Sequence, residues 1–322
     1  MSDRRTTAGP ADLQLITIGR VGVDLYPEQI GVPLAKVRTF AKSLGGSPTN
    51  VAVAASRLGH RAAVVTKVGD DGFGEYVRDA LAAFGVDTRF VGTDPALRTP
   101  IVFCEIFPPD RFPLLFYREP KAPDLNIAAD ELDLDAIARV PILWTTGMAL
   151  SDEPSRTATL AALAAATGRT IHDLDHRHHA WHDPSEARPQ AAKALRHARV
   201  VVGNIDEVEM ATGARDPDAA AERLLEMGPD LAIVKRGPGG TLARSKDERV
   251  EVPAVEITVL NGLGAGDAFG GALVHGLLEG WDLTRTLTFA NAAGAIVASR
   301  LACADAMPTE GEVDALLRGV RV

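Results

Sequence analysis

Only two cysteines, Cys104 and Cys303, occur in the 322 residues, far apart and in no CxxC pair. No disulfide framework is implied, and a reducing cytoplasm is the simplest setting. No stretch approaches the ~20 apolar residues that a membrane span needs. The apolar run from Phe289 to Val297 is interrupted by Asn291 and closed by Arg300, so it reads as a buried helix. The N-terminus, MSDRRTTAGPAD, has no apolar segment behind its arginines and is no secretion signal. Residues 1–12 read as a disordered tail. Positive charge is also short: 34 basic side chains face 43 acidic ones, a net −9. Such a surface repels nucleic acid and anionic lipid, which excludes both as expected partners. An anionic small substrate stays open wherever local cations outweigh that field. A G-x-x-x-x-G-K-[ST] loop is missing, so this is no P-loop enzyme. Internal repeats, low-complexity tracts and flexible linkers are missing too.

What is present is a rhythm. LQLITIG (13–19) and AAVVTKVG (62–69) read as buried strands, and 48–58 and 73–84 as helices closed by Gly59 and Gly85. From ILWTTG (142–147) onward, strand and helix alternate strictly, through RTIHDLD, RVVVG and DLAIVKRG. That alternation predicts an α/β fold, a mostly parallel sheet with helices on both faces. Two short strands within 241–252 and a helical block over 264–319 complete it. The segments 37–43, TPIVFCEIF and FPLLFYR read as strands that do not fit this sheet. They predict a small β-rich lid built from insertions at about 25–46 and 97–122, on one domain spanning 13–322.

Two glycine-rich segments carry the chemistry. NGLGAGDAFGGALVHGLLEG (261–280) opens a mostly apolar, hence buried, helix. The N–H groups of Ala265, Gly266 and Asp267 at its start suit a phosphate. Asp267 adds negative charge there, which makes sense as a base taking a proton from an attacking hydroxyl. An ordinary first-turn acid is the other reading. GGSPTNVAVAASRLG (45–59) ends a strand and opens a helix. Its glycines allow close backbone approach, and Asn50 offers a donor and an acceptor to hydroxyls.

Together the two segments resemble the two motifs of the PfkB family of ribokinase-like carbohydrate kinases. Gly45, Gly46, Pro48, Asn50, Ala52, Gly59 and Gly69 match the first, and Gly264, Ala265, Gly266 and Asp267 the second. The resemblance covers about residues 13–319. It implies a three-layer αβα sandwich with a β-lid, ATP and Mg²⁺, Asp267 as catalytic base, and Gly264, Ala265 and Gly266 as the anion hole. It also implies that Asp24, Gly45, Gly46 and Asn50 bind the sugar. Asn204 and Glu207 resemble the family's N-x-x-E element, with Glu207 holding Mg²⁺ through water. They equally form a helix capping box, and both readings can hold. Lys235, Gly237 and Gly240 resemble the nucleotide loop, and Asn291 falls where the adenine pocket forms. Many relatives begin the second motif with Asp-Thr-Thr, whereas this chain has Asn261-Gly262-Leu263. The missing carboxylate leaves monovalent-cation activation open. A homodimer through the lid is a further implication.

The segment HDLDHRHHAWHD (172–183) holds five of the eight histidines. His172/His176 and His178/His182 have i,i+4 spacing, which on a helix suits a metal. The segment follows a strand, however, and reads better as a polar loop. A metal-dependent hydrolase and a sugar-binding regulator are the readings outside the kinase class. Asp173, Asp175, Arg177 and Trp181 form D-x-D-x-R-x-x-x-W, which resembles the segment of family members acting on keto-sugar acids. A guanidinium grips a carboxylate through two parallel hydrogen bonds. Arg177, with Arg118 at the end of FYR, is therefore expected to meet the acid group. The expected substrate is a keto-sugar acid, with neutral sugars such as ribose or fructose as alternatives.

Overall fold

The computed structural model describes residues 13–320, and the expected tail over 1–12 lies outside the described residues. Short apolar segments build a nine-stranded sheet. Its strands are β1 (Leu15–Ile18), β4 (Ala62–Gly69), β5 (Val91–Asp94), β8 (Ile142–Thr146), β9 (Arg169–Asp173), β10 (Val200–Asn204), β11 (Leu231–Lys235), β12 (Thr241–Arg244) and β13 (Arg249–Val252). They lie in the order β13-β12-β11-β10-β9-β8-β1-β4-β5. All neighbours are parallel except β11–β12 and β12–β13. Successive side chains of a strand face opposite ways, and the packing follows. Leu15, Val64, Ile142, Trp144 and Ile171 face α1 (Ser47–Arg57), α8 (Ala265–Leu278) and α9 (Leu283–Ala298). Ile16, Ile18, Ala63 and Leu143 face α3 (Leu134–Arg139) and α4 (Ser155–Ala165) on the other side. Both faces are covered, which is why these strands read as unbroken apolar runs. The result is the expected three-layer sandwich.

The second sheet has four strands, β2 (Gly22–Pro27), β3 (Phe40–Gly45), β6 (Ile101–Cys104) and β7 (Leu114–Tyr117), in the order β3-β2-β6-β7. The strand expected at 37–43 lies at Phe40–Gly45, because its pairing with β2 runs through Ser43, Leu44 and Gly45. The sequence reading missed β2 itself, whose GVDLYP has neither a long apolar run nor clean alternation. Among the described residues, no helix is long and apolar enough to cross a membrane.

Candidate active site

The two glycine-rich segments meet. Several helices close their own N-termini: Asp71 caps α2 (Gly72–Ala83), Asp216 caps α7 (Pro217–Glu226) and Asp282 caps α9. The helices α1 and α8 do not. Their N-cap residues are Gly46 and Gly264, at φ +104° and +81°, with no side-chain bond to the first turn. Only glycine adopts such angles without strain. First-turn N–H groups are thereby left for an outside acceptor. The Asp267 N–H is taken by the Gly264 carbonyl at 3.1 Å. Of the three groups expected to face a phosphate, Ala265 and Gly266 stand outside that bond.

One pocket is lined by Asp24, Gly46, Asn50, Arg118, Arg177, Gly264 and Asp267, all expected, and by Arg20 and Ser47, which were not. Asn50 Nδ2 donates to Asp267 Oδ2 at 2.7 Å, while Asn50 Oδ1 is buried without a partner. Burial pushes the Asp267 carboxyl up, against hydrogen bonds from Asn50 and Ser47 that hold it down. Asp24 sits in β2, opposite Ser43. A Cβ on Gly45 would collide with its carboxylate. Burial lifts Asp24 to about 6; Arg20 and the Tyr26 hydroxyl lower it, and Asp267 adds to the rise. The pocket thus holds two half-buried carboxyl groups, both raised above the usual carboxylate value, the direction that favours a base.

Three guanidinium groups face these acids. Asp175 holds two of them, Arg20 Nη2 at 3.3 Å and Arg177 Nη2 at 3.2 Å. The Nε atoms of Arg20 and Arg177 remain buried without partners. Arg118 pairs with Asp124, whose other oxygen accepts the Val21 N–H at 3.1 Å. Asp124 therefore ties the end of β7 to the chain leaving β1.

A second group of residues lies at the C-terminal ends of β9, β10 and β11, the side of a parallel sheet where ligands bind. Asn204 and Glu207 form the reciprocal box at the start of α6 (Ile205–Thr212), at 3.0 and 2.8 Å. Lys235 Nζ lies 3.9 Å from Asp173 Oδ2, and 3.3 Å from where a Cβ on Gly266 would stand. Burial works against the Lys235 charge, yet Asp173, Glu207 and Asp267 hold its pKa above the usual value. Asp173 is raised to about 7 by burial, with Lys235 opposing and Glu207 adding. Gly237 begins a single turn, Gly237–Gly239, and Gly240 follows at φ +79°. The Asn291 amide accepts from Thr241 at 2.7 Å and donates to the Pro253 carbonyl at 2.9 Å. Its amide is spent on tying α9 to the segment after β13, so it shapes a wall.

Residues 12–310 match the sequence profile described as pfkB family carbohydrate kinase. The chain belongs to the PfkB family. Among its relatives are the 5-dehydro-2-deoxygluconokinases of Clostridium tetani and Photobacterium profundum. The first is 33% identical, covering 95% of this kinase and 93% of the relative. The second is 35% identical, covering 92% of each. An Escherichia coli protein assigned as ribokinase II, solved in complex with ATP and Mg²⁺, superposes with a TM-score of 0.87 at 25% identity, covering 95% of this kinase and 99% of that chain.

The structure brings to the pocket and its border residues that the sequence reading passed over. Arg20 follows the Gly19 turn; its placement after a buried strand was the available signal. Asp124 and Ser47 gave none. The helical spacing of the histidine segment is not realised. His172 is buried inside β9, 2.9 Å from Thr145 Oγ1, and His178 sits in a separate turn, His178–Ala180.

Proposed function

We propose that this kinase transfers the terminal phosphoryl group of ATP to the 6-hydroxyl of 5-dehydro-2-deoxy-D-gluconate, a step of myo-inositol catabolism. The observation that carries the reading is the cluster of Arg20, Arg118 and Arg177 in the pocket that also holds Asp24 and Asp267. A sugar acid matches that division, with its hydroxyl at the half-buried acids and its carboxylate at the guanidinium groups. The relatives named above support the substrate.

Asp267 takes the proton of the attacking hydroxyl, and Asn50 fixes the Asp267 carboxylate. Asp24 and the free Asn50 oxygen hold the neighbouring hydroxyls. The open start of α8, with Lys235 beside it, receives the charge on the phosphates. Mg²⁺ fits the donor set, because buried Asp173 and Glu207 crowd negative charge in front of α6. Glu207 would hold the ion through water, and the ion would neutralise phosphate charge. Asn261, buried, spends its amide on Leu301 and Leu263, which supplies no charge for a monovalent cation. A homodimer through the small sheet is supported by Leu115 and Tyr117, exposed on β7; light scattering tests it.

The experiment is Arg177→Lys, assayed side by side on the sugar acid and on ribose or fructose. Charge-assisted hydrogen bonds contribute roughly 1.5–3 kcal/mol each. Losing one should cut kcat/KM on the acid by about 10–100-fold and leave neutral sugars unaffected. An equal loss on both would remove the sugar-acid assignment.

A further inference from the structure

The far ends of α1 and α8 hold a cluster that the phosphoryl transfer does not use. His60 follows the turn after α1, and His275 lies on α8. His60 Nε2 and His275 Nδ1 are 2.8 Å apart, and both rings are buried. Glu279 stands one turn beyond His275 at i+4, on the same face of α8. One ligand atom from each of the three lies within 4.8 Å of the others. Two facing ring nitrogens at this distance share a single proton, and with that proton gone both lone pairs can turn toward one ion beside the line that joins them. The other nitrogen of His275 is buried and unpartnered. That ring is fixed by Phe289, stacked at 5.3 Å, and by Trp281, edge-on at 4.8 Å. The other charges acting on His275 are those of Glu310, Asp314 and Arg285. Arg285 is drawn over the Trp281 ring, at 3.8 Å.

We propose that His60, His275 and Glu279 form a site for a divalent transition-metal ion of the Zn²⁺ type, completed by water. Imidazole nitrogen with one carboxylate suits Zn²⁺, Co²⁺ and Ni²⁺ over Mg²⁺, which prefers oxygen. Metal–nitrogen bonds near 2.0–2.1 Å in tetrahedral geometry require the two nitrogens to part by roughly half an ångström. Glu279 is exposed and free to swing in. The site is structural: it lies about 12 Å along α8 from Asp267, eight residues at 1.5 Å each. It pins the turn entering β4 to the end of α8, so it clamps the two helices whose opposite ends carry Asn50 and Asp267.

The test uses the full chain, stripped with chelator and titrated with Zn²⁺ against a chromophoric competitor, with excess Mg²⁺ present to occupy the oxygen-rich catalytic site. Co²⁺ is titrated in parallel for its visible spectrum. One equivalent should bind, Co²⁺ should show the intense bands of a four-coordinate ion, and the melting temperature should rise with Zn²⁺. Glu279→Gln should weaken binding by at least the roughly 10–100-fold that loss of a supporting partner costs a metal site, at an unchanged kinase rate. His60→Gln should abolish it. Glu279 is exposed, so the test does not depend on a folded histidine variant. No binding, or binding that neither substitution alters, overturns the proposal.

Discussion

Asp267 and Asp24 are both half-buried acids, and their neighbours separate their proposed roles. Asp267 is held by Asn50 at the open start of α8, where a transferred group would arrive. Asp267→Asn keeps the shape and loses the proton acceptor. It should lower kcat by about 10²–10⁴-fold with little change in ATP or sugar affinity, measured by steady-state kinetics and calorimetry. Asp24 titrates at about 6 in the free enzyme. Below that pH its carboxyl is protonated and accepts hydroxyl bonds poorly; above it the carboxylate forms. KM for the sugar should therefore fall as pH rises from about 5 to 7, and Asp24→Asn should flatten the profile. A pH dependence that survives this substitution would place the titrating group elsewhere. Asp267 was legible because it stands in a glycine-rich helix start, whereas Asp24 was reached only through the resemblance to the PfkB family. Arg20 and Asp124 were not legible, since their meaning depends on partners more than 100 residues away, Asp175 and Val21.

Elements position these residues through close helix packing. A Cβ on Gly271 of α8 would stand 3.0 Å from the Ala55 nitrogen of α1 and closer still to the Ala54 side chain. Gly271→Val should push the helices apart and cost about 1–3 kcal/mol, the usual range for overpacking, in chemical denaturation. Both helices deliver a reacting group at their N-termini, so kcat should fall as well, since small misplacements are expensive in rate. Unchanged stability together with unchanged kcat would show that the contact relaxes freely. The long elements were readable because period and punctuation agreed: Pro48 opens α1, Gly59 follows it, and the buried strands are unbroken apolar runs. Short ones were not. Val91–Asp94 and Leu134–Arg139 carry too few residues for a pattern, and they form because a neighbouring strand or helix is already there.

At the scale of the whole molecule, His172 links the fold to pH. It lies in the middle of the large sheet, fully buried, and burial lowers it to about 4. The unfolded chain takes up a proton near 6.5 and the folded chain does not, so stability is fully present above about 6.5 and is lost as pH falls toward 4. The shift corresponds to about 3 kcal/mol at most. The raised carboxyls of Asp24 and Asp173 slope the opposite way, so the comparison must be between wild type and His172→Gln. The variant should lack the acid-side loss in melting curves taken from pH 7 to 4. Connections leading between the two sheets contain proposed ligand residues. Arg20 lies between β1 and β2, Gly46 between β3 and α1, and Arg118 directly after β7. Any rocking of the small sheet on the large one must turn about these segments. On the proposed site, the segments about which the small sheet would swing are the same ones that would touch substrate.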